Sequence, residues 1–200
     1  MCGRFLLFDE AENEELRRII NEINKKYNQD EYPKLKTGEI FPTNYAPVIT
    51  AGNNNTVSLF KWGFPNYKNT GTIINARSET LEERPAFRKI LLSKRCLIPA
   101  SGFYEWKQTG SKKDKYLIQT EKPLFYMAGL YNHFTDKNGI PFTAFVIITT
   151  DANREVLPIH HRMPVILERD SGKLWLESMV KDALNLLIPY QYPLKLTKIS

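Results

Sequence analysis

The sequence predicts a single α+β domain over residues 1–200, in which antiparallel β-sheet dominates and helices flank it. One observation is a long amphipathic helix near the N-terminus, since five apolar residues recur there at helical spacing: Leu16, Ile19, Ile20, Ile23 and Tyr27. Another is the change from Ala46 onward to short β-rich runs separated by Asn, Gly, Lys and Pro. No repeat, low-complexity tract or flexible linker interrupts the chain, so no domain boundary is predicted.

The local sequence also predicts where the individual elements lie. The long helix, "EAENEELRRIINEINKKYN", carries acids in its first half and lysines at its end, as the helix dipole favours. Shorter helices are predicted over 85–92, after Asp151 as an N-cap residue, and over 178–187, where Pro189 stops the helix. The predicted strands are "APVITA", "VSLFKWGF", "RCLIPASGFYEWK", "KYLIQT", "LFYMAGLYNHFT", "FTAFVIITT" and "MPVIL".

Composition favours a globular cytosolic protein. Of the 200 residues 42% are hydrophobic, without a long uncharged apolar run or a secretory signal, so no membrane partner is expected. The net charge of +6 permits a polyanion partner without identifying it. The two cysteines, Cys2 and Cys96, form no ligand cluster with structural zinc spacing, so neither a metal nor a disulfide is expected. Cys96, in a strand-like run, is interpreted as a buried small apolar residue.

Cys2 follows the initiator methionine directly, which gives it unusual chemistry once Met1 is removed. An α-amine has a pKa of about 8, so a useful fraction of it is neutral near neutral pH. A neutral amine attacks an aldehyde to give an imine, and the neighbouring thiol then closes a five-membered thiazolidine ring. Alternatively, the thiolate attacks an amide with the amine as its base, as in amino-terminal nucleophile hydrolases. Taken alone, the position of Cys2 favours an ordinary buried cysteine in a first strand.

Two further segments offer proton carriers. Glu105 lies among aromatic residues in "GFYEW", and a dry environment there raises the pKa of its carboxyl group, whereas on an exposed sheet face it is a solvated carboxylate. His160 in "PIHHRMPVIL" is either an acid/base group or a core histidine bonded to backbone. The residues alone leave both pairs of alternatives open.

Arginines accompany these segments. Arg4 follows Cys2, Arg77 lies in "INARSET" after Asn75, and Arg162 follows the histidine pair. Three arginines either pair with surface carboxylates or converge on phosphates, which their planar donor groups fit well.

Taken together, the motifs resemble one protein family from end to end. "MCGRF", "FPTNYAPVI", "KWGF", "NARSET", "RCLIPASGFYEW", "YMAGLY", "VIITTDAN" and "IHHRMPVIL" occur in the order found in the SOS-response-associated peptidase (SRAP) family. Its members are abasic-site shield proteins that crosslink themselves to single-stranded DNA. The resemblance implies a barrel-like β core, a bacterial-type chain without a long tail for replication-clamp binding, and a monomer that needs no cofactor.

The resemblance also implies roles for four residues. Cys2, freed of Met1, would bond to the ring-opened deoxyribose aldehyde of an abasic site and end as a thiazolidine. Asn75 would hold the terminus and the sugar, and Glu105 would assist proton transfer beside Cys2. His160 would protonate the sugar oxygen and serve reversal of the crosslink. The family name further implies that Met1 leaves by self-cleavage.

DNA contacts are implied in the same way. Arg4, Arg77 and Arg162 match positions that hold backbone phosphates, which position DNA without reading its sequence. The motifs that flank the DNA groove contain three further residues: Pro42, Trp62 and Trp106. For each tryptophan a core role is equally expected. The chain departs from the family pattern at Asn66 and Tyr67, where many relatives carry a second tryptophan, and in "GEIF" before Pro42, which lacks a frequent asparagine.

Two other functions remain as alternatives. A glutamine amidotransferase of the kind that begins Met-Cys-Gly would use Cys2 to release ammonia, but this chain has no synthetase domain, and "GFYEW" and "HHRMP" have no place in such enzymes. A noncovalent binder of single-stranded or modified DNA would use Cys2 only as a structural residue.

Overall fold

The computed structural model describes residues 2–7, 13–27, 35–52, 56–66 and 71–199, which form fifteen strands and four helices. The strands are β1 (Arg4–Leu7), β2 (Gly38–Ile40), β3 (Tyr45–Thr50), β4 (Thr56–Trp62), β5 (Phe64–Pro65), β6 (Thr72–Ile73), β7 (Asn75–Arg77), β8 (Arg95–Ala100), β9 (Gly102–Thr109), β10 (Lys112–Thr120), β11 (Phe125–Thr135), β12 (Pro141–Asp151), β13 (Arg162–Pro164), β14 (Ile166–Leu167) and β15 (Leu194–Lys198). The helices are α1 (Glu14–Lys26), α2 (Pro85–Leu91), α3 (Arg169–Glu177) and α4 (Val180–Leu184), with a 3₁₀ turn over Ser78–Thr80. Among these helices, none has the length and apolarity that a membrane span requires.

A closed five-stranded barrel forms the centre of the fold. Its strands pair in the cyclic order β12, β4, β3, β8 and β11, and β11 returns to β12. Four of the five pairings are antiparallel, and the fifth, between β12 and β4, is parallel. Three short strands extend the barrel sheet: β7 and β13 pair with β12, and β14 pairs with β11. The α+β class and the predicted dominance of antiparallel sheet are therefore confirmed.

A second sheet packs against the barrel and carries the start of the chain. Its strand order is β2, β1, β9, β10 and β15, so β1 lies between β2 and β9. Residues that face each other across paired strands project from the same side of a sheet, and side chains alternate along each strand. The register Phe5 opposite Phe103 and Glu105 opposite Tyr116 assigns Phe5, Phe103 and Glu105 to one side. This inner side faces the barrel, because Phe5 and Phe103 are fully buried.

The opposite side of the second sheet carries charged and aromatic side chains. Arg4 faces Tyr104, and Trp106 faces Lys115, so these four residues share the outer side. Glu39 joins them, because it faces Leu6, two residues beyond Arg4 on β1. Alternation along β1 and β9 therefore separates an apolar inner side from a cationic outer side.

Two apolar clusters hold the layers together. One packs α1, α2 and α3 against the barrel, and the other joins the barrel to the second sheet. Trp62 lies at the centre of the second cluster, where its ring meets Phe5 edge to face at 5.2 Å and stacks parallel to Phe145 at 6.3 Å. Its indole Nε1 donates a hydrogen bond to Ile74 O at 3.0 Å. Because Trp62 is fully buried with its polar atom satisfied, it occupies the core position, one of its two expected roles.

The helix predictions are confirmed in part. The structure contains α1, whose first N–H groups are capped by Asn13, and α2, which begins at Pro85. The predicted part of α1 that covers residues 10–12 and 28 lies outside the described residues. In the region 178–187 the helix is shorter than predicted and covers only Val180–Leu184.

The predicted helix after Asp151 is wrong. Asp151 is the last residue of β12, and Asn153 caps a single turn instead, accepting hydrogen bonds from the N–H groups of Glu155 and Val156. Pro158 lacks the N–H that would continue this turn as a helix.

Helix α3 is not predicted from the sequence, because Gly172 interrupts its pattern and glycine disfavours helix interiors. The structure gives this glycine a packing role, since a Cβ atom there would lie 3.0 Å from Leu97 Cδ1 on the barrel. A capping box between Glu168 and Ser171 and the burial of Trp175 stabilise the helix despite the glycine.

Arg95 joins α2, α3 and the barrel through a buried guanidinium group. It begins β8 and donates to Trp175 O at 2.6 Å, to Leu91 O at 3.1 Å and to two further carbonyl oxygens at the end of α3. These carbonyls are among the acceptors that a helix end leaves without an intrahelical donor.

Replacing Arg95 by Met should therefore lower the free energy of unfolding by about 3 kcal/mol, because several buried carbonyl groups would lose their donor. Urea denaturation measures this change. The matched control Arg88→Met, at an exposed position on α2, should stay within about 0.5 kcal/mol of the original chain. Equal changes in the free energy of unfolding for the two variants would contradict the role of Arg95 in joining α2, α3 and the barrel.

Candidate functional site

Cys2 lies just before β1, in the apolar cluster between the two sheets. Its thiol Sγ donates to Arg4 O at 3.6 Å, and neither Cys2 nor Cys96 is part of a disulfide. Burial, together with the neighbouring Glu105 carboxylate, raises the pKa of the Cys2 thiol far above its ordinary value. Cys2 is 0% exposed, so in the chain that retains residue 1 it occupies the buried position that the sequence alone also allowed. Met1 itself lies outside the described residues.

Asn75 connects Cys2 to the barrel. It begins β7, which runs parallel to β12 with Asn75 opposite Ile147. The Asn75 Nδ2 atom donates a hydrogen bond of 3.0 Å to Cys2 O. Its other polar atom, Oδ1, is buried and accepts no hydrogen bond from any residue in the described ranges. A buried acceptor in this condition is costly unless another donor reaches it, so Oδ1 is a ready acceptor beside Cys2.

Glu105 supplies a carboxyl group to the same site. The pairing of Arg4 with Tyr104 brings β9 alongside the start of β1, and Glu105 is the next residue on β9. Glu105 is only 2% exposed, and burial raises the pKa of its carboxyl group to about 7. The interpretation of Glu105 as a solvated surface carboxylate is therefore wrong. A carboxyl group of this pKa both accepts and releases a proton near neutral pH.

His160 lies where the chain returns to the barrel, two residues before β13. The N–H group of Arg162 donates to His160 Nδ1 at 3.0 Å, and Arg162 O lies 3.3 Å from the same nitrogen; the shorter contact requires the neutral tautomer with its proton on Nε2. Burial lowers the His160 pKa, which favours this neutral form, and the ring stacks on His161 at 4.5 Å. His160 thus presents an N–H donor rather than a cation at neutral pH.

Topology relates the His160 segment to the other site residues. β13 and β7 flank the same end of β12, where Thr149 pairs with both Arg77 and Pro164. Val156 and Met163, on either side of His160 in the sequence, belong to the same apolar cluster as Cys2. The structure therefore joins Asn75 to Cys2 by a hydrogen bond, brings Glu105 close enough to raise the pKa of the Cys2 thiol, and brings the His160 segment to the same end of the barrel.

Arg162 is engaged within the protein. Its side chain is 5% exposed and forms ion pairs with Asp151 at 2.7 Å and Glu79 at 2.8 Å, while Nη2 also donates to Thr149 O at 2.8 Å. The ion pairs connect β13, β12 and the 3₁₀ turn that follows Arg77. Since its Nη1 and Nη2 atoms are used in this way, Arg162 ties β13 to β12 and to the turn that follows β7, and a direct phosphate contact would require these ion pairs to open.

Arg77 and Arg4 are more accessible than Arg162. Arg77 is exposed at the end of β7, two residues from Asn75. The Arg4 side chain is 37% exposed and donates to Glu39 Oε1 at 3.0 Å. Its guanidinium carbon lies 5.1 Å from the ring centroid of Trp106, which is half-buried. Unlike Trp62, Trp106 therefore lies at the surface, beside a cation.

Pro42 lies in the turn that joins β2 and β3. The next residue, Thr43, has a φ of 72°, an unusual left-handed conformation for a β-branched residue. Hydrogen bonds from Thr43 N to Trp62 O and from Phe41 N to Asn44 Oδ1 hold this turn in place. Tyr67, one of the two departures from the expected tryptophan pattern, lies outside the described residues.

Sequence reasoning missed two charged residues of this region, Glu39 and Lys115. Lys115 Nζ lies 2.8 Å from both carboxylate oxygens of Glu39, so these residues and Arg4 form one ionic group. The predicted strand "KYLIQT" begins at Lys115, but only the register of β10 against β9 assigns it to the side of Trp106. Within the described ranges, no three His, Cys, Asp or Glu residues are grouped so that they could hold a metal ion.

Comparisons with known proteins agree with this architecture. A structure of a protein from Bacteroides thetaiotaomicron superimposes with a TM-score of 0.81 and 26% identity, covering 100% of this chain and 92% of the other. The chain is 40% identical to abasic site processing protein YoqW of Bacillus subtilis, over 95% of this chain and 88% of YoqW. Identity to YoaM of the same organism, also named an abasic site processing protein, is 40% over 95% and 86% of the two chains. The model of the SOS response associated peptidase (SRAP) family matches residues 1–200, and the chain belongs to this family.

Proposed function

We propose that the chain, once residue 1 has been removed, captures abasic sites in single-stranded DNA through a covalent bond to Cys2. The observation that carries this proposal is the hydrogen bond from Asn75 to the buried Cys2, beside a buried Glu105 carboxyl group whose pKa is about 7. The relatives named above are abasic site processing proteins, which supports a role in binding and processing such lesions. An abasic site in its ring-opened form offers the aldehyde that an amino-terminal cysteine requires.

The proposed reaction needs no oxidant or reductant. The Cys2 amine nitrogen bonds to the aldehyde carbon, and one water leaves as the imine forms. The Cys2 sulfur then bonds to the same carbon while its proton moves to the nitrogen, which closes the thiazolidine ring. Because amine and thiol belong to one residue, the second step is intramolecular and has a high effective concentration.

Removal of residue 1 is the step that creates the reactive group. Until then the Cys2 nitrogen is part of a peptide bond and its thiol is buried with a raised pKa, so neither nucleophile is available. We include in the proposal that the chain releases residue 1 itself, in keeping with the peptidase name of the family.

The surrounding residues have distinct proposed roles. Asn75 Nδ2 holds the Cys2 carbonyl, and its Oδ1 accepts a hydrogen bond from the new amine or from a sugar hydroxyl. Glu105 takes the proton that the amine and thiol lose and returns it during dehydration. His160, whose neutral ring carries a proton on Nε2, donates to the sugar oxygen as the ring opens, and serves the reverse reaction. Arg4 and Arg77 hold phosphates on either side.

Cys2→Ala should abolish the adduct that survives denaturation when the chain is incubated with a single-stranded oligonucleotide containing an abasic site. Denaturing gel mobility measures the product. Cys96→Ala, which removes the other buried thiol, is the matched control and should retain the adduct. A stable adduct in Cys2→Ala would contradict the proposal, and release of ammonia from glutamine by the original chain would instead support an amidotransferase.

Glu105→Gln should slow adduct formation by about 10²-fold or more, because general acid–base assistance is lost while the side chain keeps its size. Rapid-quench kinetics with the same oligonucleotide measures the rate. An unchanged rate would remove Glu105 from the mechanism.

The same substitution should stabilise the fold at alkaline pH. The Glu105 pKa rises from its ordinary 4.5 to about 7, so the folded chain binds more protons than the unfolded chain between these values, and stability falls as pH rises through them. Urea denaturation at about pH 8 should therefore show Glu105→Gln more stable than the original chain by about 3 kcal/mol, a gap that closes near pH 4.5. If Glu105→Gln were less stable than the original chain at every pH, its slower adduct formation would be explained by damage to the fold.

Arg77→Ala should weaken binding of unmodified single-stranded DNA for all sequences alike and lower the salt dependence of log K by about 0.7, as expected for one lost phosphate contact. Fluorescence anisotropy over a range of salt concentrations measures both quantities. Arg18→Ala, at an exposed position on α1, is the control and should change neither. A change confined to sequence preference would contradict a phosphate contact by Arg77.

A further inference from the structure

We propose that Lys115 and Glu39 set the affinity of the chain for single-stranded DNA: Lys115 binds a phosphate beside Arg4, and Glu39 competes with that phosphate for both cations. The proposal rests on the proposed capture of abasic DNA and adds two residues to it. The residues concerned are named here the sheet-face cluster: Arg4, Glu39, Phe41, Trp106 and Lys115.

The Glu39 carboxylate is held by two cations at once. Lys115 Nζ lies 2.8 Å from Oε1 and 2.8 Å from Oε2, and Arg4 Nη1 lies 3.0 Å from Oε1. Although its partial burial opposes the effect, hydrogen bonds from Lys115 and Arg4 lower the pKa of Glu39, so it is ionised at neutral pH. Two cations that converge on the oxygens of one anionic group are arranged as a phosphate requires.

Aromatic rings hold the cations at the sheet surface. Arg4 Cζ lies 4.3 Å from the ring centroid of Phe41, and Lys115 Nζ lies 4.3 Å from that of Tyr104 and 5.8 Å from that of Trp106. Contacts between cations and ring faces fix the charged groups without neutralising them. Single-strand binding surfaces combine the same two elements, cations for phosphates and aromatic faces for bases or sugars.

Charge and exposure leave the sheet-face cluster open to an anion. The side chains of Arg4, Glu39 and Lys115 are 37%, 25% and 16% exposed. Lys36, exposed and with Nζ 5.0 Å from the centroid of Phe41, adds a further positive charge at the edge. Three cations therefore lie in or beside the sheet-face cluster, which contains one carboxylate, so its net charge is positive. Arg4 is two residues from Cys2, a span of about 7 Å in extended backbone, so a phosphate bound here would lie near the captured sugar.

Two substitutions that should change the DNA affinity in opposite directions test the proposal. Binding of an unmodified single-stranded oligonucleotide is followed by fluorescence anisotropy at several salt concentrations. Lys115→Met should weaken binding about threefold and lower the salt dependence of log K by about 0.7. Glu39→Gln should tighten binding about threefold, because it releases both cations for phosphate. In the Lys115→Met background, Glu39→Gln should tighten binding less.

Lys122→Met is the matched control. Lys122 forms a comparable ion pair with Glu168 at 2.6 Å outside the sheet-face cluster, and its loss should change neither affinity nor salt dependence. An unchanged salt dependence of binding in Lys115→Met would overturn the proposal. Weaker DNA binding by Glu39→Gln would also overturn it, because that result is expected if Glu39 only holds Arg4 and Lys115 in position. Crosslinking of the original chain to abasic DNA is measured in parallel, and its failure would refute the proposed function itself.

Discussion

The hydrogen bond from Asn75 Nδ2 to the Cys2 carbonyl oxygen fixes the start of the chain against the barrel. Cys2 precedes the first strand, so it lacks the ladder pairing that holds β1 between β2 and β9. A side chain from β7 supplies the missing anchor, and the parallel pairing of β7 with β12 fixes that side chain in turn. Cys2 is therefore held by a strand that pairs with the barrel rather than by a loop of its own.

Side chains of adjacent residues on β9 project to opposite sides of the second sheet, a buried inner side and a cationic outer side. Glu105 projects to the inner side, where burial raises the pKa of its carboxyl group to about 7, the range that a proton carrier requires near neutral pH. Its neighbours Tyr104 and Trp106 project to the outer side, beside cations that are partly exposed and suited to an anionic polymer. A shift of one residue in the register between β1 and β9 would move Glu105 to the outer side and Tyr104 and Trp106 to the inner side, so both the buried carboxyl group and the cationic surface would be lost.

Much of this arrangement is predictable from the sequence. Helix α1 has a clear apolar face, and the strands are rich in β-branched and aromatic residues, so both follow from local pattern. Cys2, Asn75 and Glu105 are identified by the motifs that contain them. The burial of Glu105 is not predictable in this way, because alternation gives two sides to a strand without saying which faces a core.

Contacts between residues that are far apart in the sequence could not be predicted from it. Arg162 pairs with Glu79, 83 positions away, and only the common partner strand β12 brings them together. Glu39 and Lys115 meet across two intervening strands whose register no local pattern fixes. Helix α3 forms around a glycine that local propensity disfavours, because close packing on Leu97 compensates.

Intact mass spectrometry of the purified chain, with and without a single-stranded oligonucleotide carrying an abasic site, tests the central claim most directly. The account predicts a chain that lacks residue 1 and, after incubation, a single adduct whose mass is the sum of the two molecules less one water. A chain that retains residue 1 under all conditions and gains no mass from abasic DNA would contradict it.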